Sequence, residues 1–142
     1  AGRIIWGWAF DRTPSRVALA ANLALQAALL LAAGPLQSSA AGLQAFALIA
    51  GFNYGGVLVL YAATVARRWG ASRVAGVYGW LFSSNMPASL APVLAGLAFD
   101  HWGSFVTPLT LIALLMLAAA LLTGRQRAID GAAPPRRGNG PS

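Results

Sequence analysis

The stretch GVYGWLFSSNMPASLAPVLAGLAFD, residues 76–100, decides how the rest of the chain is read. It is long enough to cross a bilayer, for which about 20 apolar residues suffice. Yet it carries Tyr78, Ser83, Ser84, Asn85 and Ser89, with Pro87, Pro92 and three glycines, before Asp100 closes it. Hydrocarbon cannot satisfy polar groups, so such side chains turn toward a bundle interior or a water-filled path. Steps of three, four and seven put Tyr78, Phe82, Asn85, Ser89 and Gly96 roughly on one helical face. That face is the candidate lining of a polar path. For any one serine or glycine, close helix packing is the stronger account, while for Asn85 beside Pro87 the two readings weigh evenly.

Outward from this stretch, the composition carries the same message. Only 9% of the 142 residues are charged, against about 25% in a soluble domain. The mean hydropathy is +0.64. The chain therefore falls in the membrane class, as an all-α protein. Its net charge of +7 comes from ten arginines and three aspartates. In a soluble protein that balance would point to nucleic acid. Here the arginines stand between apolar runs, so they read as topology signals and no nucleic-acid partner is expected. There is no cysteine, so thiolate metal sites and disulfides are excluded. The lone His101 makes no metal site, and no cofactor is expected.

Five apolar segments appear in order. Residues 1–10 read as the end of a hydrophobic helix that begins before Ala1, so the chain reads as the C-terminal part of something longer. Full spans are predicted over about 17–34, 42–66, 75–98 and 105–123. Pro14 fits the first turn of the second segment, and Gly34-Pro35 fits its stop. Asn22 and Gln26, four apart, share a face and read as interhelical packing. In the third segment, Gly51 and Gly55 form a GxxxG pair that permits close helix approach. Asn53 and Tyr54 follow the first of these glycines, and Tyr61 repeats the face of Tyr54 seven residues on. From Gly124 the chain turns polar and rich in Gly, Pro and Arg, so 124–142 is predicted to be a disordered tail.

The arginines set the orientation. Arg3, Arg12 and Arg16 flank the first junction, Arg67, Arg68 and Arg73 the third, and Arg125, Arg127, Arg136 and Arg137 follow the last span. The alternate links carry none. If each run crosses once, all ten fall on one side, which the positive-inside rule makes cytoplasmic. The expectation is a multi-pass protein of the cell (inner) membrane with a cytoplasmic C-terminus.

These residues also resemble a known family. GRIIWGWAFDRTPSR is similar to the loop motif of the major facilitator superfamily, with Gly7, Asp11, Arg12 and Arg16 at the matching positions. GFNYGGVLVLYAATVARRWG and GVYGWLFSSNMPASLAPVLAG resemble the tenth and eleventh helices of the oxalate/formate antiporter family and its monocarboxylate-carrying relatives. The resemblance covers residues 2 to about 123. It implies the C-terminal part of a major-facilitator bundle: four full spans and the end of a fifth, partnered by an N-terminal half. It implies secondary transport by alternating access, with substrate held near mid-membrane.

The expected substrate-path residues are Asn53, Tyr54, Tyr61, Tyr78, Phe82, Asn85 and Ser89. The loop residues Gly7, Asp11, Arg12 and Arg16 are expected to bias the conformational equilibrium, with Asp11 meeting a helix N-terminus of the other half. Oxalate carriers have a lysine where Asn85 stands, and their second basic residue, in the eighth helix, would lie before Ala1. Without that charge a dicarboxylate loses a strong contact. The expected substrate is thus a small organic anion, a monocarboxylate, coupled to a proton or a counter-anion. The alternative is a small multi-span interaction or assembly protein without transport. An enzyme is not expected, because every acidic residue lies outside the spans.

Overall fold

Thr13 and Pro14 interrupt the first apolar segment, and the chain turns there. In the computed structural model, which describes residues 2–36, 38–83, 86 and 89–126 (Pro92 by its backbone alone), helix α1 spans Gly2–Arg12. The Thr13 hydroxyl closes it by donating to the Ala9 carbonyl at 2.8 Å. Pro14 stands extended at φ −56°, ψ 139° and its carbonyl accepts from the Val17 and Ala18 amides. Helix α2 follows as Ser15–Leu31, and a single turn, α3, as Ala33–Leu36. Ser39 then caps α4, its hydroxyl accepting from the Gly42 amide at 3.1 Å, an N-cap of the kind that stabilises a helix by about 1 kcal/mol.

Helix α4, Ala40–Trp69, is the longest element. At about 1.5 Å per residue its 30 residues extend roughly 45 Å. Gly70, at φ +84°, turns the chain into a 3₁₀ turn at Ala71–Arg73 and then α5, Val74–Ser83. Helix α6 is Ala91–Trp102, with a proline in its first turn and Gly103 at φ +64° after its end. Helix α7 is Val106–Arg125. Among the described residues all regular structure is helical.

Two of these helices, α4 and α7, are long and apolar enough to cross a membrane. This differs from the expectation of four full spans. Helix α2 is apolar but has only 17 residues, ending at Leu31 rather than 34. Among the described residues, the segment expected as one helix over 75–98 is interrupted: α5 is described to Ser83, Met86 is helical, and a turn at Ser89 and Leu90 precedes α6. The physical reason lies in its composition. A proline inside a helix removes an amide donor and clashes with the carbonyl four residues back, and residues 83–92 hold two prolines among serines and an asparagine. Asn85 lies outside the described residues. So does most of the expected tail; its first two residues, Gly124 and Arg125, still belong to α7.

Helices α2 and α7 pack along each other, α1 and α2 pack on α4, and α5 rests on α4. The buried core is small: Trp6, Phe10, Ala18 and Leu60, with Phe52, Leu19, Leu25 and Ala63 around it. Asn53 and Ser15 are fully buried and Asn22 nearly so, while Trp80 is 85% exposed and Leu48, Met86 and Leu115 almost as open. An exposed leucine alone means little, but buried amides beneath a broad aliphatic exterior invert the usual arrangement of a soluble domain.

The close helix approach uses only one glycine of the GxxxG pair, Gly55. Gly51 is open: a Cβ there would have nothing within 4 Å. The crossing of α1 over α4 uses Gly2, Gly55 and Gly56 instead. A Cβ at Gly2 would strike the Phe52 carbonyl, and one at Gly56 would strike the Trp6 indole. Sequence spacing identified the helix but not the face, because the partner is the short α1.

Candidate functional site

Three arrangements on α4 concern the expected site residues. The first is an amide network. The Asn22 Nδ2 donates to the Asn53 Oδ1 at 2.7 Å and to the Asn53 backbone carbonyl at 3.2 Å. The Asn53 Nδ2 donates to the Asn22 backbone carbonyl at 3.1 Å and to the Gln26 Oε1 at 2.9 Å. Asn53 is thus fully engaged between α2 and α4, and Asn22 and Gln26 join those helices. A buried amide without partners costs about 1–3 kcal/mol, so reciprocal pairing is what allows these polar groups inside.

The second is an aromatic cleft. Tyr54 and Tyr61 of α4 meet Tyr78 and Phe82 of α5, with Val57, Leu58 and Leu81, around a cavity of about 250 Å³. Tyr78 and Phe82 sit 5.9 Å apart between ring centres. The tyrosine hydroxyls form no hydrogen bond among the described residues. A neighbouring cavity of about 530 Å³ shares Tyr54, Val57 and Tyr61 and extends to Gln26 of α2 and Met116 of α7. Ser89 is apart from both: it is exposed, its hydroxyl donates to the Met86 carbonyl at 2.6 Å, and it borders an open groove with Phe82.

The third is Arg3, which the sequence reading grouped with the first junction. Its side chain runs along α4 at Gly55, the midpoint of Ala40–Trp69; a Cβ there would stand 3.6 Å from the Arg3 Cγ. One helix of about 14 Å separates Arg3 from Arg12 at 1.5 Å per residue. Arg3 therefore stands apart from the end of α1 that Arg12 marks. Its guanidinium is exposed and has no hydrogen-bond or ion-pair partner among the described residues. The signal was available: Arg3 begins an apolar helix whose charged end is Asp11-Arg12, so the two ends cannot share one depth.

The remaining basic end is coherent. The Arg67 Nη1 donates to the Ser15 hydroxyl at 3.1 Å and its Nη2 to the Phe10 carbonyl at 3.3 Å. The same guanidinium lies 4.1 Å from the centre of the Phe10 ring. The Arg16 Nη1 donates to the Gln126 carbonyl at 3.1 Å. Arg67 thus fastens the last turn of α4 to the α1–α2 junction, a role that its place in a charged loop did not reveal. Arg12 lies over the Trp8 ring at 4.2 Å rather than pairing with Asp11. Asp11 is exposed and unpaired among the described residues. Gly7 faces Val59 of α4, a Cβ there standing 3.7 Å from its Cγ1. The Trp6 Nε1 is buried without a hydrogen-bond partner.

Among the described residues no three His, Asp or Glu side chains gather as a metal site. No family model, curated protein or solved structure matches the chain. The fold and these arrangements define an all-helical chain with two membrane-capable helices and an amide-lined interior.

Proposed function

We propose that the chain is the C-terminal part of a major-facilitator-type secondary carrier that moves a small monocarboxylate by alternating access. In this reading α2, α4, the α5–α6 pair and α7 are four crossings, and α1 is the end of a fifth. The basic end at Arg12, Arg16, Arg67 and Arg125 is cytoplasmic, as is the C-terminus. An N-terminal half completes the path, and a proton or a counter-anion is the coupled ion. The separate helices α5 and α6 fit the broken crossings that carriers tolerate where the backbone lines a cavity.

The observation that carries the proposal is Arg3 at the midpoint of α4. A cation at mid-depth of an apolar helix is costly and marks an ion or substrate path by default. Arg3 opens α1, yet that end of α1 lies beside the middle of α4; Asp11, Arg12, Arg16, Arg67, Arg68, Arg73, Asp100, His101 and Arg125 lie at helix ends or links. A single cation there favours a ligand with one negative charge, which supports a monocarboxylate over a dicarboxylate. The aromatic cleft of Tyr54, Tyr61, Tyr78 and Phe82 supplies apolar walls and hydroxyl donors for a small carboxylate.

The test is uptake of labelled acetate, lactate and formate into proteoliposomes containing the intact protein. Uptake is expected for at least one of them, and Arg3→Gln is expected to reduce it at least tenfold without loss of expression. Uptake by Arg3→Gln equal to the wild type sinks the assignment of the cation. Absence of uptake for every small carboxylate favours the assembly-protein alternative.

A further inference from the structure

Donor counting in the amide network singles out one atom. The backbone carbonyl of Asn22 can only accept, so the atom of Asn53 that meets it at 3.1 Å is its Nδ2. The backbone carbonyl of Asn53 likewise fixes the Asn22 Nδ2 toward itself at 3.2 Å. Both protons of each asparagine amide are then spoken for. The second proton of Asn53 needs an acceptor, so Gln26 turns its Oε1 inward at 2.9 Å. That leaves the Gln26 Nε2 with two protons and no partner among the described residues. Two peptide carbonyls, neither of which can be flipped, thus determine the direction of a side-chain donor two residues removed from them.

Gln26 also lines the cavity of about 530 Å³ with Tyr54, Val57, Tyr61 and Met116. Its polar rim is neutral: the Gln26 amide N–H, which can only donate, two phenol hydroxyls, which donate or accept, and Asn22. Such a rim suits a ligand that brings an acceptor oxygen for Gln26 and a small apolar body.

We propose that Gln26 is a substrate-contacting residue, its Nε2 donating to a carboxylate oxygen of a small organic acid held in this cavity and oriented by Asn53. This rests on the carrier reading above for the class of ligand. It adds a contact on α2, a helix whose amides the sequence reading assigned wholly to packing. The Gln26 amide with the tyrosine hydroxyls supplies the seat.

The experiment measures binding of propionate, and of the isosteric donor propionamide, to the intact protein by thermal shift and calorimetry at pH 8. The variants are Gln26→Glu and Gln26→Met. Glu keeps an oxygen for Asn53 and replaces the donor by a second oxygen, so the unliganded melting temperature stays close to wild type. Met removes the oxygen as well and lowers that temperature. Both variants are expected to weaken propionate at least ~10-fold, the change for losing one hydrogen bond to a charged group. Propionamide is expected to bind the wild type more weakly than propionate. Propionate binding by Gln26→Glu equal to wild type overturns the proposal, and so does a wild type that propionate neither stabilises nor binds. Uptake into proteoliposomes is scored separately. Binding without uptake keeps the Gln26 contact and removes transport; uptake with an indifferent Gln26→Glu does the reverse.

Discussion

Gly51 and Gly56 look interchangeable in the sequence and are opposites in the structure. The first meets open space and the second the face of an indole. Gly56→Ala is expected to destabilise the protein by about 1–3 kcal/mol, since an added methyl in a packed interface forces the ring or the helix to move. Gly51→Ala is expected to be neutral or to stabilise by up to ~1 kcal/mol, because alanine is the better helix former and nothing stands in its way. Thermal melting in detergent separates the two, and equal losses would mean that α1 does not cross α4 at Gly56. The lesson extends to the site. Tyr54 and Tyr61 could be put on one face because seven residues are nearly two turns. That they share a cleft with Tyr78 and Phe82 depends on how α5 lies on α4, which no local spacing encodes. Arg3 was grouped with the first junction although it opens α1 and Arg12 closes it; that it lies beside Gly55 of α4 shows only in the fold.

At the scale of elements, most helices were legible because a chain so poor in charge has few ways to punctuate itself. Ser39, Gly70, Gly103 and the Thr13-Pro14 pair mark the turns, and each acts through a stated cap, a positive φ or a missing amide. The separation of α5 from α6 was not read as such. The polar residues of that stretch were seen and taken for the lining of one continuous helix. What joins the elements was the least legible. Arg67 holds the end of α4 to the α1–α2 junction by two hydrogen bonds and a ring contact. A lysine cannot reproduce that fork. Arg67→Lys is therefore expected to behave like Arg67→Ala, lowering the melting temperature and exposing the Thr13-Pro14 turn to proteolysis. Full rescue by lysine would show that charge alone matters at this position.

Among its described residues the molecule has a small apolar core beside one buried amide network, an aliphatic outside and one basic end. The Arg67–Ser15 and Arg16–Gln126 bonds bring together segments that are far apart in sequence. Under the proposed topology, a reporter fused after Ser142 is expected to report a cytoplasmic location. A cysteine introduced at Gly103 is expected to react with an impermeant maleimide from outside. A reporter signal from the opposite compartment would overturn the threading and, with it, the carrier reading. The length of α4 has a separate consequence. A rod of roughly 45 Å exceeds a hydrocarbon slab of about 30 Å by half again. Crossing as proposed, it either leans steeply or projects its Arg67–Arg68 end into the headgroups, and the two choices put Arg3 at different heights. The preferred lean follows the thickness of the host lipid. Reconstitution in short-chain and long-chain phosphatidylcholines should therefore tune the protein's behaviour through simple mismatch, with no change in any of its contacts.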